Sequence, residues 1–251
     1  MKWTWAILIA VGLVKLGLLI GLPARAAEVG LDTLMSAEDS RSWRGVGRVN
    51  VTDHRRRVMC TGTLIAPDVV LTAAHCLISR RTGRLYRPEH IHFVTGLYRG
   101  RKTGHSRARA VVTHRRWTGA PVTTTAAVAT DLALIRLEKP MKPRAAEPFT
   151  IGAPPLPGAP VSLISYRRDR PYALTRQDGC TYRSMVDTVM SLDCAVIYGA
   201  SGAPVFANVD GLPRIVAVLA AMNRYGQGVE ARAFAARIDI EIDDLLTRLA
   251  E

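Results

Sequence analysis

From Gly45 onward, short apolar and β-branched runs alternate with turns: Val46 to Thr52, Val58 to Ile65, Val69 to Ala73, Ile91 to Thr95 and Ala110 to Thr113. Ala66-Pro67-Asp68 is a turn between two of them. A nearly continuous apolar strand follows at Leu132 to Leu137, headed by Asp131. Between Lys139 and Pro160 the pattern dissolves into a proline-rich stretch that includes Ala153-Pro154-Pro155-Leu156-Pro157-Gly158 and suits an extended connection. A second group of strands is then predicted at Val161 to Tyr166, Ala173 to Arg176, Ser184 to Val189, Val205 to Ala207 and Ile215 to Ala221. Two β halves joined near 139–160 result. Ile238, Ile242, Leu245, Leu246 and Leu249 recur at three- and four-residue spacings, so the chain is expected to close on a helix. Residues 28–44 lack a strong period, hold a short helical stretch around Asp32 to Asp39, and are expected to precede a domain running from 45 to 251.

The N-terminus changes the picture of where the chain works. An apolar run from Trp5 to Leu22 follows a basic start and ends on Ala24-Arg25-Ala26, which describes a secretory signal peptide over residues 1–26. Lys15 near the middle of that run disfavours a permanent membrane anchor. The expected location is therefore the periplasm or the medium, with no stable membrane span once the signal is removed. Residues 27–44 are then an N-terminal segment that could serve as a short propeptide. The net charge of the chain is +13, and +10 remains once Lys2, Lys15 and Arg25 are set aside. Without a recognisable nucleic-acid-binding fold, this charge implies solubility and loose attraction to anions and not specific nucleic-acid binding.

All four cysteines lie beyond the signal, and an even count in an exported chain implies two disulfides. Of the three possible pairings, the neighbouring one, Cys60 with Cys76 and Cys180 with Cys194, closes two loops of about fifteen residues, each worth about 3 kcal/mol in the chain-entropy picture. No pair has Cys-X-X-Cys spacing, and His90-Ile91-His92 reads as an alternating strand with both imidazoles on one face, so no metal site is expected. The basic run between Tyr98 and Arg116 reads as a solvated loop leading into a strand.

The stretch with the most chemistry is Tyr198-Gly199-Ala200-Ser201-Gly202-Ala203-Pro204. A serine hydroxyl becomes a nucleophile when its tip is exposed, a base takes its proton and backbone N–H groups face the oxyanion that forms. Glycines on both sides permit that geometry. Alone, such a loop is an ordinary turn. However, Val70-Leu71-Thr72-Ala73-Ala74-His75-Cys76 sets a histidine at the end of an apolar strand beside a cysteine, and Asp131 heads another strand. The order His, Asp, Ser is one of those in which a catalytic triad is arranged along a chain.

On these motifs, with Cys60-Thr61-Gly62-Thr63-Leu64-Ile65 in support, residues 45–249 resemble the chymotrypsin-like, trypsin-fold serine proteases, and most of all secreted bacterial enzymes of the glutamyl-endopeptidase type. The resemblance implies an all-β fold of two six-stranded antiparallel barrels with a C-terminal α-helix and the site in the cleft between them. It implies catalysis by His75, Asp131 and Ser201, an oxyanion hole from the N–H groups of Gly199 and Ser201, no cofactor, a monomer and a protein or peptide substrate. Two positions depart from the family pattern. Ala200 replaces the acid that receives a freed N-terminus in animal digestive relatives, so activity is not expected to depend on a cut at Gly45, and Ala203 replaces a glycine. In trypsin-type enzymes an aspartate lies six residues before the serine; here Ala195 holds that position, and with Ala220, Ala221 and Met222 it implies a pocket for a medium apolar side chain. Arg224 or Arg232 would instead favour an acidic one. A catalytically inactive protease-like domain that binds a protein or an anionic surface is the alternative from another class.

Overall fold

The computed structural model describes residues 33–53, 56–223 and 232–251. The signal-peptide reading falls outside these residues, as does Arg224. Strands β2 (Val46–Asp53), β3 (Arg56–Ala66), β4 (Val69–Thr72), β5 (Ile91–Thr95), β6 (Gly104–Thr113) and β7 (Ala133–Leu137) form a closed antiparallel barrel in the order β2-β3-β4-β7-β6-β5. All four residues of β4 are buried, as its unbroken apolar run requires of a strand covered on both faces. Strand β6 corrects the expected basic loop. Its outward His105, Arg107 and Arg109 alternate with buried Ser106 and Ala108, so these polar side chains are the solvent face of a strand that begins six residues before Ala110.

The second half contains β8 (Pro160–Arg167), β9 (Arg170–Val186), β10 (Val189–Leu192), β11 (Pro204–Val209), β12 (Leu212–Met222) and β13 (Ala233–Arg237). With the two-residue strand β1 (Thr33–Leu34) they make a seven-stranded sheet in the order β1-β9-β10-β13-β12-β11-β8, in which β8 also pairs with β9. Two expected strands, Ala173 to Arg176 and Ser184 to Val189, are corrected. The first belongs to the 17-residue β9, which carries the chain from pairing with β8 to pairing with β10, and the second is split by the turn at Asp187, where φ is 54°. Strand β13 and the short helix α1 (Thr125–Ala129) were not expected.

Residues 33–44 pack onto the domain. Leu34 pairs with Thr175 of β9, Met35 is buried, and the Trp43 ring stacks on Phe149 with centroids 5.6 Å apart and meets Phe206 edge-on at 5.1 Å. In place of the short helix expected around Asp32 to Asp39, this segment makes a turn and one 3-10 turn, Arg41–Trp43. His90 likewise ends a 3-10 turn, Pro88–His90, and only His92 lies on a strand. The C-terminal helix α2 (Ile242–Ala250) starts later than the periodicity implied. It buries Ile242, Leu245 and Leu249 against β6 and β7 and leaves Leu246 partly exposed, with Asp243 and Asp244 favourably placed in its first turn. No helix among the described residues is long and apolar enough to cross a membrane.

Candidate active site

His75 follows directly from the end of β4. Ala73 is still extended, with φ −83° and ψ 139°, and residues 74–77 then close a 3-10 turn that carries the imidazole out of the barrel wall. The Cys60–Cys76 disulfide pins that turn to β3, with Cα atoms 6.2 Å apart; the second bridge joins Cys180 to Cys194. Cys60, His75 and Cys76 are the one group of three potential metal ligands found among the described residues, and both sulfurs are consumed by the disulfide.

Asp131 lies just before β7 and is wholly buried. Its Oδ1 accepts the backbone N–H of His75 at 2.8 Å, and its Oδ2 is 2.6 Å from His75 Nδ1. An ionised carboxylate can only accept, so the ring proton sits on Nδ1 and the lone pair on Nε2. The Nε2 atom lies 3.8 Å from Cys76 Sγ. The carboxylate thus fixes both the backbone and the tautomer of the histidine, whose side chain is 18% exposed.

Ser201 lies between β10 and β11 in a loop that its own backbone bonds shape. Ala200 N–H donates to Ile197 O, Ala203 N–H to Ala200 O, and Gly202 N–H to Leu219 O. Gly199 and Gly202 have φ of 99° and 79°, and a Cβ on either would collide, with Met59 and the Arg168 backbone in the first case and with Thr61 O and Thr72 Oγ1 in the second. The loop is also held from the first barrel by Thr61 of β3. Its N–H donates to Ser201 O at 2.8 Å, and its hydroxyl lies 3.1 Å from Gly199 O while accepting Tyr166 N–H at 3.0 Å. Among the described residues, the N–H groups of Gly199 and Ser201 donate no hydrogen bond. These are the two donors that the sequence assigned to an oxyanion hole. Ala200 and Ala203, the two departures, are buried in the core of the second half, where small side chains fit.

His75 and Ser201 line one cleft of about 520 Å³. No hydrogen bond joins them among the described residues. Ala220, Ala221 and Met222 form part of the wall; Ala195 does not, and its neighbour Val196 takes that place. Asp193 is turned away, because its carboxylate accepts the Thr181 N–H and pairs with Arg183 at 2.5 Å. Sequence reasoning missed the opposite wall, formed by Ile78 and Arg80 beyond the histidine and by Trp117 and Pro121 before α1, and it missed the role of Thr61. The only signal for Thr61 was its place after Cys60; the wall residues carry no motif.

Residues 60–218 match the trypsin-like peptidase domain family. Among solved structures, a thermostable serine protease AL20 from an extremophilic microorganism aligns with a TM-score of 0.66 at 18% identity, covering 84% of this chain and 96% of that one. At that identity the likeness is one of fold. No curated protein matches.

Proposed function

The chain belongs to the trypsin-like peptidase family, and from that premise we propose that it is an exported serine endopeptidase acting through His75, Asp131 and Ser201. The observation that carries this reading is the pair of unoccupied N–H donors, Gly199 and Ser201, beside a serine that shares a cleft with a histidine anchored on a buried carboxylate. His75 Nε2 takes the Ser201 Oγ proton as the oxygen attacks the scissile carbonyl, and the negative charge passes to the carbonyl oxygen facing the two N–H groups. His75 then returns that proton to the departing amine, leaving an acyl group on Ser201. Water, deprotonated by the same nitrogen, releases the acid and restores the serine. Asp131 holds the imidazole and steadies its cationic form.

The pairing of β8 with both β11 and β9 supports reading the second sheet as the second barrel of this fold, with β1 as an added edge strand. The acid-free nucleophile loop supports placement beside secreted bacterial enzymes of the glutamyl-endopeptidase type, while the apolar wall of Val196, Ala220, Ala221 and Met222 supports an apolar side chain at the residue cleaved. Activation by a cut at Gly45 is not part of this reading. Gly45 O accepts the Leu64 N–H, Gly45 packs against Glu147 and Phe149, and Ala200 offers a freed amine no partner.

One observation favours the alternative of an inactive binding domain, namely the missing Ser201–His75 hydrogen bond. Such bonds are often loose without substrate and tighten in the reacting complex. The deciding experiment is intact mass after fluorophosphonate treatment. One adduct on Ser201, absent from Ser201→Ala and His75→Ala, is expected; the untouched mass in the native protein would transfer the reading to the binding domain.

A further inference from the structure

Resting on the peptidase reading of the cleft, we infer that its substrates carry carboxylates on residues flanking the bond to be cut, received by Arg80 on one rim and Arg168 on the other. Arg80 is the one Lys, Arg, Asp or Glu among the residues lining the cleft. It is exposed and engages no ion pair or hydrogen bond of its side chain among the described residues. Its turn is well held: Gly83 N–H and Thr82 N–H both donate to Ser79 O, and Ile78 bridges to Leu85. The guanidinium is therefore presented from a fixed base.

Arg168 stands in the turn between β8 and β9. Its N–H donates to Tyr198 O at 2.8 Å, and its guanidinium lies 5.5 Å from the centre of the Tyr198 ring, itself part of the cleft lining and adjacent to Gly199. The neighbouring acid cannot neutralise it, because Asp169 is taken in a two-bond pair by Arg167 at 3.2 and 3.0 Å. Two other described acids near the site are also engaged: Asp131 faces His75, and Asp193 holds Arg183 and the Thr181 N–H. Among the described residues, two cations without an acidic partner thus flank a cleft whose lining holds no carboxylate, and the apolar walls of Val196, Leu219, Ala220 and Met222 concentrate their field. The net charge of +10 that remains without Lys2, Lys15 and Arg25 draws the same class of molecule from a distance. The preference concerns flanking positions only. The residue whose carbonyl is attacked enters the apolar part of the cleft, so glutamate at that position is not what the two arginines select.

Matched peptides with a common apolar residue at the cut and either Glu or Gln at each of the three positions on either side test this inference. Binding to Ser201→Ala, read by fluorescence anisotropy, and cleavage by the native protein are measured at low and high salt. An exposed ion pair is worth about two- to fivefold at low ionic strength and fades as salt screens it. Glu is therefore expected to exceed Gln by that factor at one or more positions on each side. Arg80→Ala should abolish the preference at one set of positions and Arg168→Ala at the other, while Arg109→Ala, on the solvent face of β6, should leave both. Equal treatment of Glu and Gln in binding and cleavage, or a preference that survives in the double arginine variant, overturns the inference. If Glu peptides bind better but nothing is cleaved and no fluorophosphonate adduct forms, the peptidase reading fails and carboxylate recognition stands.

Discussion

His75 and Asp131 are fixed by contacts inside one closed barrel, whereas the loop that carries Ser201 is fixed in part by the other half of the molecule. The base side needs only β4, β7, one disulfide and a carboxylate with two bonds to the same residue. The nucleophile side leans on Thr61, which spans the boundary and touches both Ser201 and Gly199 through their carbonyls. These bonds fix the peptide planes that follow Gly199 and Ser201, whereas the planes that carry the Gly199 and Ser201 N–H groups are fixed by Arg168 N–H on Tyr198 O and by Ala203 N–H on Ala200 O. In the proposed mechanism the first barrel would therefore supply the base and, through Thr61, brace the loop that carries the oxyanion donors.

The largest expected effect lies wholly on the base side. In Asp131→Asn the carbonyl oxygen can still accept one bond, but the amide group donates and favours the ring tautomer with its proton on Nε2, the atom that must act as base. A fall in kcat of about 10⁴-fold with little change in KM is expected, checked by steady-state rates on a peptide substrate and by a melting curve that shows the fold intact. A loss of less than tenfold would show that the first barrel does not hold the base in this way.

Thr61→Val tests the boundary. The substitution preserves shape, keeps the N–H that reaches Ser201 O, and deprives buried Gly199 O and Tyr166 N–H of their shared partner, at a cost of about 1–3 kcal/mol in stability. If about 1.4 kcal/mol of this is felt in the transition state, kcat falls about tenfold. KM should stay near the native value because Thr61 is not among the residues lining the cleft, and Thr61→Ser should restore both stability and rate. Lost stability with unchanged kcat would make Thr61 a core residue with no part in bracing the donor loop.

The base side was also the more legible of the two in the sequence. Its strands are short, apolar and separated by turn residues, and His75-Cys76 and Asp131 stand at strand ends where side chains leave a barrel. In the second half the signals conflict. Strand β9 buries Thr175 and Gln177 and passes through Asp178-Gly179, which in sequence reads as a turn. Strand β13 is mostly alanine, whose small side chains pack against β10 and β12 without giving an alternating pattern. Residues 33–44 lacked a period because they bind through single anchors, Met35 and Trp43, and not through a repeated face. The role of Thr61 was hidden for a different reason: it lies in bonds to Gly199 and Tyr166, which are 138 and 105 residues away and were not linked to it by any motif.

The smallest expected effect separates the halves by acid. All six histidines precede the linker at residue 139, and of those described only His114 reaches past it, to Glu241 at the start of the C-terminal helix at 2.9 Å. On the outer surface of the first half His92 Nδ1 lies 3.0 Å from His105 Nε2, an arrangement in which one ring donates and the other accepts. Burial holds both below the usual histidine range, with Arg107 next for His92 and Lys102 next for His105. Unfolded histidines take up protons near pH 6.5, while this pair resists until the pH is lower. The unfolded chain therefore binds more protons in that window, and stability that is complete above it declines as pH falls through 6.5 toward the lowered folded values. Both rings are largely solvated, so the decline is modest. Melting temperatures between pH 8 and 5 should fall more steeply for the native protein than for His105→Gln, and amide exchange at pH 5 should quicken in β5 and β6 before it does in β11 and β12. Equal slopes, or earlier loosening of the second half, would remove acid as a means of telling the two halves apart.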